Sequence, residues 1–198
     1  MNYGNIKHCD IADGEGVRTT LFVSGCTHHC DECFQPETWD FGYGEAFTRD
    51  VEDAIIESLE PDYIDGLTLL GGEPMEPANQ AVLADFTTRV KEAHPGKTIW
   101  CYTGDVYETL ANPASKRHTA DTDRLLANID VLVDGPYVKD LADITLRFRG
   151  SSNQRIIDVP ASLAAGHVVL WEDDPIYATH DMAPTTSEIR IAEDALER

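Results

Sequence analysis

Apolar residues along the chain occur in two alternating patterns, short continuous runs and longer stretches with a helical period. The runs are rich in β-branched and aromatic residues and are bounded by turn-forming residues, which is typical of buried strands. They predict six strands, at residues 19–25, 66–72, 98–102, 129–135, 155–159 and 167–171. Apolar residues spaced three to four apart between these runs predict helices at 48–60, 78–93, 105–110 and 121–128.

The alternation of strands and helices predicts the fold class. Strands separated by helices of this length form βαβ units with right-handed crossovers, so we expect an α/β protein with a mostly parallel sheet. In such sheets, ligands bind at the carboxyl ends of the strands. Four segments of unusual composition follow predicted strands, and we expect them to share one rim: 26–33, 71–74, 102–104 and 134–136.

Composition and charge narrow the class of protein. A chain of 198 residues with 42% hydrophobic content fits one domain. It has no apolar run of membrane-spanning length and no secretory signal at its start, so we expect a cytoplasmic protein without a membrane partner. The formal net charge of −21 argues against a nucleic-acid partner. Arg147, Arg149 and Arg155 form a local basic cluster, interpreted either as solvated strand residues or as a docking or substrate surface.

Three of the five cysteines stand in the segment GCTHHCDECF with the spacing CxxxCxxC. In a reducing compartment, cysteines are thiols or metal ligands rather than a disulfide framework. Cys26, Cys30 and Cys33 can converge from one short loop. Three thiolates hold a cubane iron-sulfur cluster and leave one iron open, which makes that iron a coordination site for a substrate.

A structural zinc site is the alternative interpretation of the same cysteines. His28, His29 or Cys9 would then complete a tetrahedral set, and the protein would be an interaction module rather than an enzyme. Outside this interpretation, we expect both histidines to point to solvent or to bond to backbone. Cys9 and Cys101 are then ordinary buried or half-buried thiols.

The turn after the second predicted strand has the sequence GGEP. Gly71 and Gly72 have no Cβ, so the backbone there can approach a ligand and offer its polar groups to a head group. Glu73 and Pro74 fix the turn. The tetrapeptide alone is better explained by an ordinary strand-to-helix turn, but on a rim beside CxxxCxxC it indicates a cofactor site.

Together, the CxxxCxxC loop and the GGEP turn resemble the radical S-adenosylmethionine (SAM) family, in which the loop holds a four-iron four-sulfur cluster and the turn holds the methionine amino group. Further segments are similar to the activating proteins of the anaerobic, class III ribonucleotide reductase, and this similarity runs from about Gly4 to Trp171. These segments are DGEGVRTTLFVSGC, CFQPETW, TIWCYTG, VLVDGPY and LRFRGSSNQRIID.

The resemblance implies a SAM-dependent activase that makes a radical on another protein. In this family the amino and carboxylate groups of SAM chelate the open iron, a flavodoxin- or ferredoxin-type donor supplies an electron, and the sulfonium–C5′ bond breaks reductively. The 5′-deoxyadenosyl radical then removes a hydrogen from a glycine of the reductase. The cluster and SAM carry this chemistry, so no residue is assigned as a general acid or base.

The resemblance also implies roles for individual residues, with Cys26, Cys30 and Cys33 as the cluster ligands. The residues that it assigns to SAM or to a nearby cation are Glu32, Cys33, Phe34, Gly71, Gly72, Glu73, Pro74, Tyr102, Thr103 and Asp134. Many superfamily members carry an aromatic residue just before the third cysteine, whereas here Glu32 precedes it and Phe34 follows it. Arg18 and the segment 147–155 are interpreted as facing the partner's glycine loop, or as plain surface arginines.

The fold that the resemblance implies is an incomplete (βα)6-type radical SAM barrel of about six strands, open on one side so that a protein partner can insert its glycine loop. We expect the radical SAM domain at residues 1–171. Residues 172–198 are expected to form an acidic tail, either a terminal helix or a flexible segment. An activase of another glycyl-radical enzyme, or a small-molecule radical SAM enzyme, is the alternative within this chemistry.

Overall fold

The computed structural model describes residues 1–172 of the chain, and this range contains seven strands and five α-helices. The strands are β1 (Asn2–Asp10), β2 (Arg18–Val23), β3 (Glu45–Ala46), β4 (Gly66–Gly71), β5 (Thr98–Tyr102), β6 (Val131–Asp134) and β7 (Arg155–Asp158). The helices are α1 (Arg49–Ser58), α2 (Pro77–Ala93), α3 (Tyr107–Ala111), α4 (Thr122–Asn128) and α5 (Val159–Ala165). None of the helices in this range has the length and apolar character that crossing a bilayer requires.

The strands of this range form one sheet in the order β3-β1-β2-β4-β5-β6-β7. Strands β2, β4, β5 and β6 are parallel to one another. Strands β1 and β3 on one side, and β7 on the other, pair antiparallel. The outermost strands β3 and β7 lie at opposite edges, so the sheet is not closed. The parallel centre confirms the α/β class, and its strands all end toward the predicted rim.

Side chains alternate between the two faces of the sheet, and each face is covered differently. Leu69 and Cys101 are fully buried in the core that the sheet forms with the helices. The next residues along the same strands, Leu70 and Tyr102, point to the opposite face and line a cavity. The alternation therefore separates the main core from a face that is open to a ligand.

Helix α2 shows how the sequence places an element that supports this cavity. Pro77 lies in its first turn, where a missing N–H leaves no intrahelical bond unmade. Phe86 and Val90 are fully buried on one face. The His94 N–H donates to Val90 O (2.8 Å) at the C-terminus, and Pro95 prevents continuation. The helix thus begins shortly after the GGEP turn and packs it against the sheet.

The predicted strands and helices are confirmed, with boundaries shifted by up to two residues, except for the strand at 167–171. That segment makes one isolated bridge, from Leu170 to Ile157, and no ladder. The sequence pattern did not predict β1, whose residues are mostly polar and at least partly exposed, nor did it predict the two-residue strand β3 or the seven-residue helix α5. The predicted acidic tail lies outside the described residues apart from Glu172.

The prediction for Arg18 is wrong. Arg18 is the first residue of β2, so it lies at the amino-terminal ends of the parallel strands, opposite the rim. It is 1% exposed. Its guanidinium donates to Thr68 Oγ1 (2.7 Å) and to the carbonyl oxygens of Leu67 and Thr98 (2.8 Å each). Because these bonds tie β2 to β4 and β5, the side chain is neither on the surface nor available to a partner.

Candidate cluster and cofactor site

A cavity of about 550 Å³ opens at the carboxyl ends of the parallel strands. Residues from all four predicted rim segments line it, together with Phe22 and Leu70 from the sheet. The predicted site residues in its wall are Cys26, Cys30, Glu32, Cys33, Phe34, Gly71, Gly72, Glu73, Tyr102 and Thr103. A volume of this size suits a ligand as large as a nucleoside derivative.

The cysteine loop, residues 24–35, leaves the end of β2 and forms one wall of the cavity. The Gly25 N–H donates to Thr38 O (2.7 Å), and the Cys33 N–H donates to Cys30 O (3.2 Å). Cys26 is buried, whereas Cys30 and Cys33 are half-buried. Burial raises the pKa of the Cys26 thiol to about 12 and also raises the pKa of Cys30. Ligation of a metal would therefore release protons from this loop.

Three other side chains beside the cysteine loop lie close enough together to hold a metal ion. Within residues 1–172, the group of three potential ligand atoms that lie within 4.8 Å of one another is formed by His28, Glu73 and Asp105. This group adjoins the cysteine loop, because His28 stands between Cys26 and Cys30 in the sequence.

The GGEP turn packs its glycines against β2 and the cysteine loop. Gly71 has a φ of 108°, and a Cβ there would lie 2.7 Å from the Phe22 Cα. A Cβ on Gly72 would lie 2.7 Å from Gly25 O. Both positions therefore require glycine because of close contacts within the protein, and the predicted approach to a ligand stays a prediction. Pro74 is buried in the turn, outside the cavity lining.

Glu73 joins the GGEP turn to the segment after β5. Its side chain is 1% exposed. Oε1 accepts the Met75 N–H (2.7 Å), and Oε2 accepts the Gly104 N–H (2.8 Å). Both carboxylate oxygens are thus engaged by the protein, so Glu73 shapes the cavity wall through backbone bonds.

The two strand-end segments 102–104 and 134–136 contribute unequally to the lining of the cavity. Tyr102 and Thr103 line the cavity, and the Tyr102 hydroxyl is buried without a hydrogen-bond partner among the described residues. Burial raises the pKa of this hydroxyl above its usual range. Asp134 is fully buried outside the lining, where it accepts the Tyr107 N–H (2.7 Å) and the Arg155 Nε–H (2.9 Å). Because Arg155 holds its carboxylate, Asp134 is not brought to the cavity.

Glu32 and Phe34 flank Cys33 on the exposed side of the cysteine loop. Glu32 has a φ of 59°, and its Oε1 lies 2.5 Å from Lys139 Nζ. Phe34 is 94% exposed although its side chain borders the cavity. The ring therefore stands at the border of the cavity with most of its surface in solvent.

His28 is a site residue that the sequence left unassigned, and the expectation that it points to solvent is wrong. Its Nε2 lies 3.0 Å from Glu73 Oε2 and 3.6 Å from Asp105 Oδ2. Burial opposes the charged imidazolium, but the two carboxylates outweigh burial and raise the pKa of His28 to about 10. His29 instead packs its ring on Trp39, with the centroids 4.6 Å apart. No local pattern indicates these contacts, because the partners of His28 are distant in sequence.

The sequence patterns also did not indicate a pair of neighbouring carboxyl groups, Asp10 and Asp13. Asp13 lines the cavity beside Asp10, and Lys7 Nζ lies 3.2 Å from Asp10 Oδ2 and 3.8 Å from Asp13 Oδ2. Burial and the hydrogen bond to Asp10 raise the pKa of Asp13 to about 7. Burial opposes ionisation of Asp10, but hydrogen bonds from Asp13 and from the Ala12 N–H lower the pKa of Asp10 to about 2. The pair therefore shares one proton below neutral pH.

The remaining cysteines and arginines have separate positions. Cys101 is fully buried, as predicted, but Cys9 is exposed on β1.

Arg149 is buried and lines the cavity. Arg155 forms ion pairs with Asp134 and with Glu108. The basic cluster is therefore mostly internal and is not a row of solvated side chains.

Comparison with known proteins assigns this site to a family. The family described as "4Fe-4S single cluster domain" matches residues 12–157. An "Anaerobic ribonucleoside-triphosphate reductase-activating protein" from Pasteurella multocida is 43% identical over 158 residues, which cover 79% of this chain and 96% of the relative. Proteins of the same name from Escherichia coli K12 and Enterobacteria phage T4 are 41% and 37% identical over 156 residues each, covering 78% and 79% of this chain and 96% and 93% of the relatives.

The chain belongs to the family of anaerobic ribonucleoside-triphosphate reductase-activating proteins. The family predicted from the motifs is thereby confirmed. The 4Fe-4S match extends over the cysteine loop, the GGEP turn and the segment after β5, all of which line the cavity. An iron-sulfur domain, rather than a zinc-binding module, is the class of protein that these comparisons support.

Proposed function

We propose that this protein binds a four-iron four-sulfur cluster and SAM in the 550 Å³ cavity and uses them to generate a glycyl radical on anaerobic ribonucleoside-triphosphate reductase. The observation that carries the proposal is the convergence of Cys26, Cys30 and Cys33 with the GGEP turn in one cavity wall. Three cysteine ligands leave one iron of the cluster open for the methionyl group of SAM. The relatives' name supplies the partner.

The other cavity residues orient SAM and keep water away from it. Gly71 and Gly72 present backbone where no side chain intervenes, which suits the methionine amino group. Tyr102 and Thr103 form the wall toward the sheet, and Phe34 borders the cavity from the cysteine loop. When bound, the cluster and SAM supply the radical chemistry, while the protein provides orientation and exclusion of solvent.

We further propose that the open sheet is the incomplete barrel of a radical SAM domain spanning residues 1–171. The parallel strands β2, β4, β5 and β6 end at the cavity, and β3 and β7 leave the sheet open at its edges. An unclosed sheet gives a loop of a large protein partner access to the cavity. A flavodoxin- or ferredoxin-type electron donor and a cytoplasmic location stay predictions.

SAM cleavage by the full chain is the primary test. The protein is reconstituted anaerobically with iron and sulfide, reduced with dithionite and assayed for 5′-deoxyadenosine after addition of SAM. Replacing Cys26, Cys30 or Cys33 with Ala should each abolish the product, whereas Cys9→Ala should leave it unchanged because Cys9 is exposed on β1. Product from all three loop variants, or a colourless protein that binds zinc, would overturn the proposal.

The partner is tested by radical transfer. The reduced, SAM-loaded protein is mixed with the anaerobic reductase, and a protein-bound radical is followed by electron paramagnetic resonance (EPR). We expect a radical signal that disappears when the acceptor glycine is replaced with Ala. SAM cleavage without this signal would indicate another glycyl-radical enzyme or a small-molecule substrate instead.

A further inference from the structure

Arg117 lies behind the cavity and contacts three of the segments around it. Its Nε donates to Asp105 Oδ2 (2.7 Å), and its Nη1 lies 2.9 Å from Glu76 Oε2 and 3.2 Å from Thr27 Oγ1. Thr27 belongs to the cysteine loop, Glu76 follows the GGEP turn, and Asp105 follows the segment 102–104. One guanidinium group therefore joins the three segments that form the candidate site.

The charges around Arg117 explain why a cation is required there. Glu73, Glu76 and Asp105 are 1%, 4% and 4% exposed. Arg117 lies among these carboxylates, and its Nη2 lies 3.3 Å from His28 Nε2. Buried carboxylates without compensating charge are strongly destabilising. Arg117 thus supplies positive charge to this group of carboxylates, and its planar fork reaches several acceptors at once.

The backbone that carries Arg117 is itself fixed from the core. Gln80 on α2 is fully buried, and its Nε2 donates to Arg117 O (2.8 Å) and to Met75 O (2.7 Å). Its Oε1 accepts the hydroxyls of Thr119 and Thr122 (2.6 Å each). Both groups of the amide are satisfied, so the segment around Arg117 is held at a defined distance from the GGEP turn.

We propose that Arg117 is a positioning residue that holds the cysteine loop against the GGEP turn and thereby sets where the cluster lies relative to the methionyl end of SAM. The link between them runs through Glu76, whose Oε1 accepts both the N–H (2.8 Å) and the hydroxyl (2.5 Å) of Thr27. Without Arg117, Glu76 would be a buried carboxylate with less compensation, and the loop would lose its fixed position. The inference rests on the proposed function, because it concerns the same site.

The test compares Arg117→Gln with Arg124→Gln in the full chain. Arg124 forms ion pairs with Asp85 and Asp121 on the surface, so its replacement removes the same charge far from any contact with the cavity segments. Iron content and the EPR spectrum of the reduced cluster are measured during a titration with SAM. We expect Arg117→Gln to keep its iron but to need about 10- to 100-fold more SAM for the half-maximal spectral change. Arg124→Gln should match the wild type, and Arg117→Lys should recover part of the loss.

Two results would overturn the inference. One is a SAM titration of Arg117→Gln that coincides with that of Arg124→Gln. The other is loss of iron from Arg117→Gln alone, which would mean that Arg117 maintains the loop itself and not its position against the turn. If Arg117→Gln does not fold, Glu76→Gln replaces it, because the amide oxygen can still accept from Thr27 while an NH2 donor, which cannot bond to the guanidinium, replaces the oxygen that faces Arg117.

Hydrogen exchange separates failure of this inference from failure of the proposed function. A wild-type protein without any SAM-dependent change would contradict the proposed function. The inference is then decided by the amides of Thr27 and Gly104, which donate to Glu76 and Glu73. We expect Arg117→Gln to accelerate their exchange about tenfold or more. Exchange rates equal to those in Arg124→Gln would contradict a positioning role.

Discussion

Gly71 ends β4 and begins the turn that lines the cavity, with a backbone angle that side chains rarely adopt. Its φ is 108°, and an added Cβ would lie 2.7 Å from backbone atoms of Phe22. We expect Gly71→Ala to lower the free energy of unfolding by about 1–3 kcal/mol, because both the strain and the contact involve backbone that cannot move aside. Urea unfolding measures the loss.

Gly96→Ala is the matched control for Gly71. A Cβ at Gly96 meets nothing within 4 Å. The change should alter the free energy of unfolding by at most about 0.5 kcal/mol and in the stabilising direction if at all. Similar losses in the two variants would show that the structure of the turn is not what makes glycine necessary at position 71.

The Asp10–Asp13 pair predicts a pH dependence of stability. The pKa of Asp13 is raised to about 7, so the folded state binds its proton more tightly than the unfolded state does. Its stabilising contribution is complete below about pH 4 and is lost as the pH rises through about 7. Asp10, with a pKa lowered to about 2, adds stability that is lost only in strong acid. Between pH 5 and 8, the contribution of the pair to the free energy of unfolding therefore falls as the pH rises.

Replacing Asp13 with Asn removes this loss, because the amide remains a donor to Asp10 at every pH. We expect the stability advantage of Asp13→Asn over the wild type to grow by about 1–3 kcal/mol between pH 5 and pH 8. Urea unfolding at the two pH values measures the difference. Asp62→Asn removes the same charge from an exposed position and should show no such pH-dependent gain; a gain of equal size there would point to net charge instead.

At the scale of elements, α1 and α5 begin differently although both have a capping residue. Thr48 occupies the cap position of α1 without a side-chain bond. Asp158 caps α5 and accepts the Ala161 N–H (2.9 Å). We expect Asp158→Ala to lower the free energy of unfolding by about 1 kcal/mol and Thr48→Ala by only a few tenths. Thermal unfolding of both variants makes the comparison, and the reverse order would contradict the observed caps.

The elements that the sequence predicted share a simple physical cause. Strands β2, β4, β5 and β6 are buried along most of their length, apart from the ends that line the cavity, so each is a mostly apolar run that ends in a turn signal. Strand β1 has one face in water and few apolar residues, so its pairing with β2 supplies the structure that its own pattern does not indicate. The run at 167–171 has the composition of a strand, but composition cannot show that it finds only one bridging position beside β7.

At the scale of the whole molecule, some features of the candidate site could be predicted from the sequence and others could not. The four rim segments could be predicted because parallel strands end at one edge, so residues following them must meet. The contacts of His28 with Glu73 and of Arg117 with Glu76 depend on segments far apart in sequence. Asp134 has the expected position along its strand, but its carboxylate forms an ion pair with Arg155 on β7. Strand ends were predictable, whereas side-chain partners required the tertiary arrangement.

The net charge of −21 leads to a prediction for the whole molecule. A compact chain with 36 acidic and 15 basic residues repels itself, and dissolved salt screens charges on the surface more than charges that are buried. The ion pairs of Arg117 and Arg155 lie mostly inside the protein, with both side chains 17% exposed, so they should persist in salt. Added salt should therefore weaken the repulsion between surface acidic groups more than it weakens the attraction within the buried ion pairs.

We expect the melting temperature to rise by about 2–5 °C between 0.05 and 0.5 M sodium chloride. Calorimetry at constant pH measures the shift, and potassium chloride should act alike because screening depends on ionic strength. Replacing three exposed acidic residues, Glu57, Glu60 and Asp62, with their amides should reduce the salt effect, since less repulsion remains to be screened. A melting temperature that falls with added salt would mean that surface ion pairs, such as those of Arg89 and Arg124, outweigh the excess negative charge.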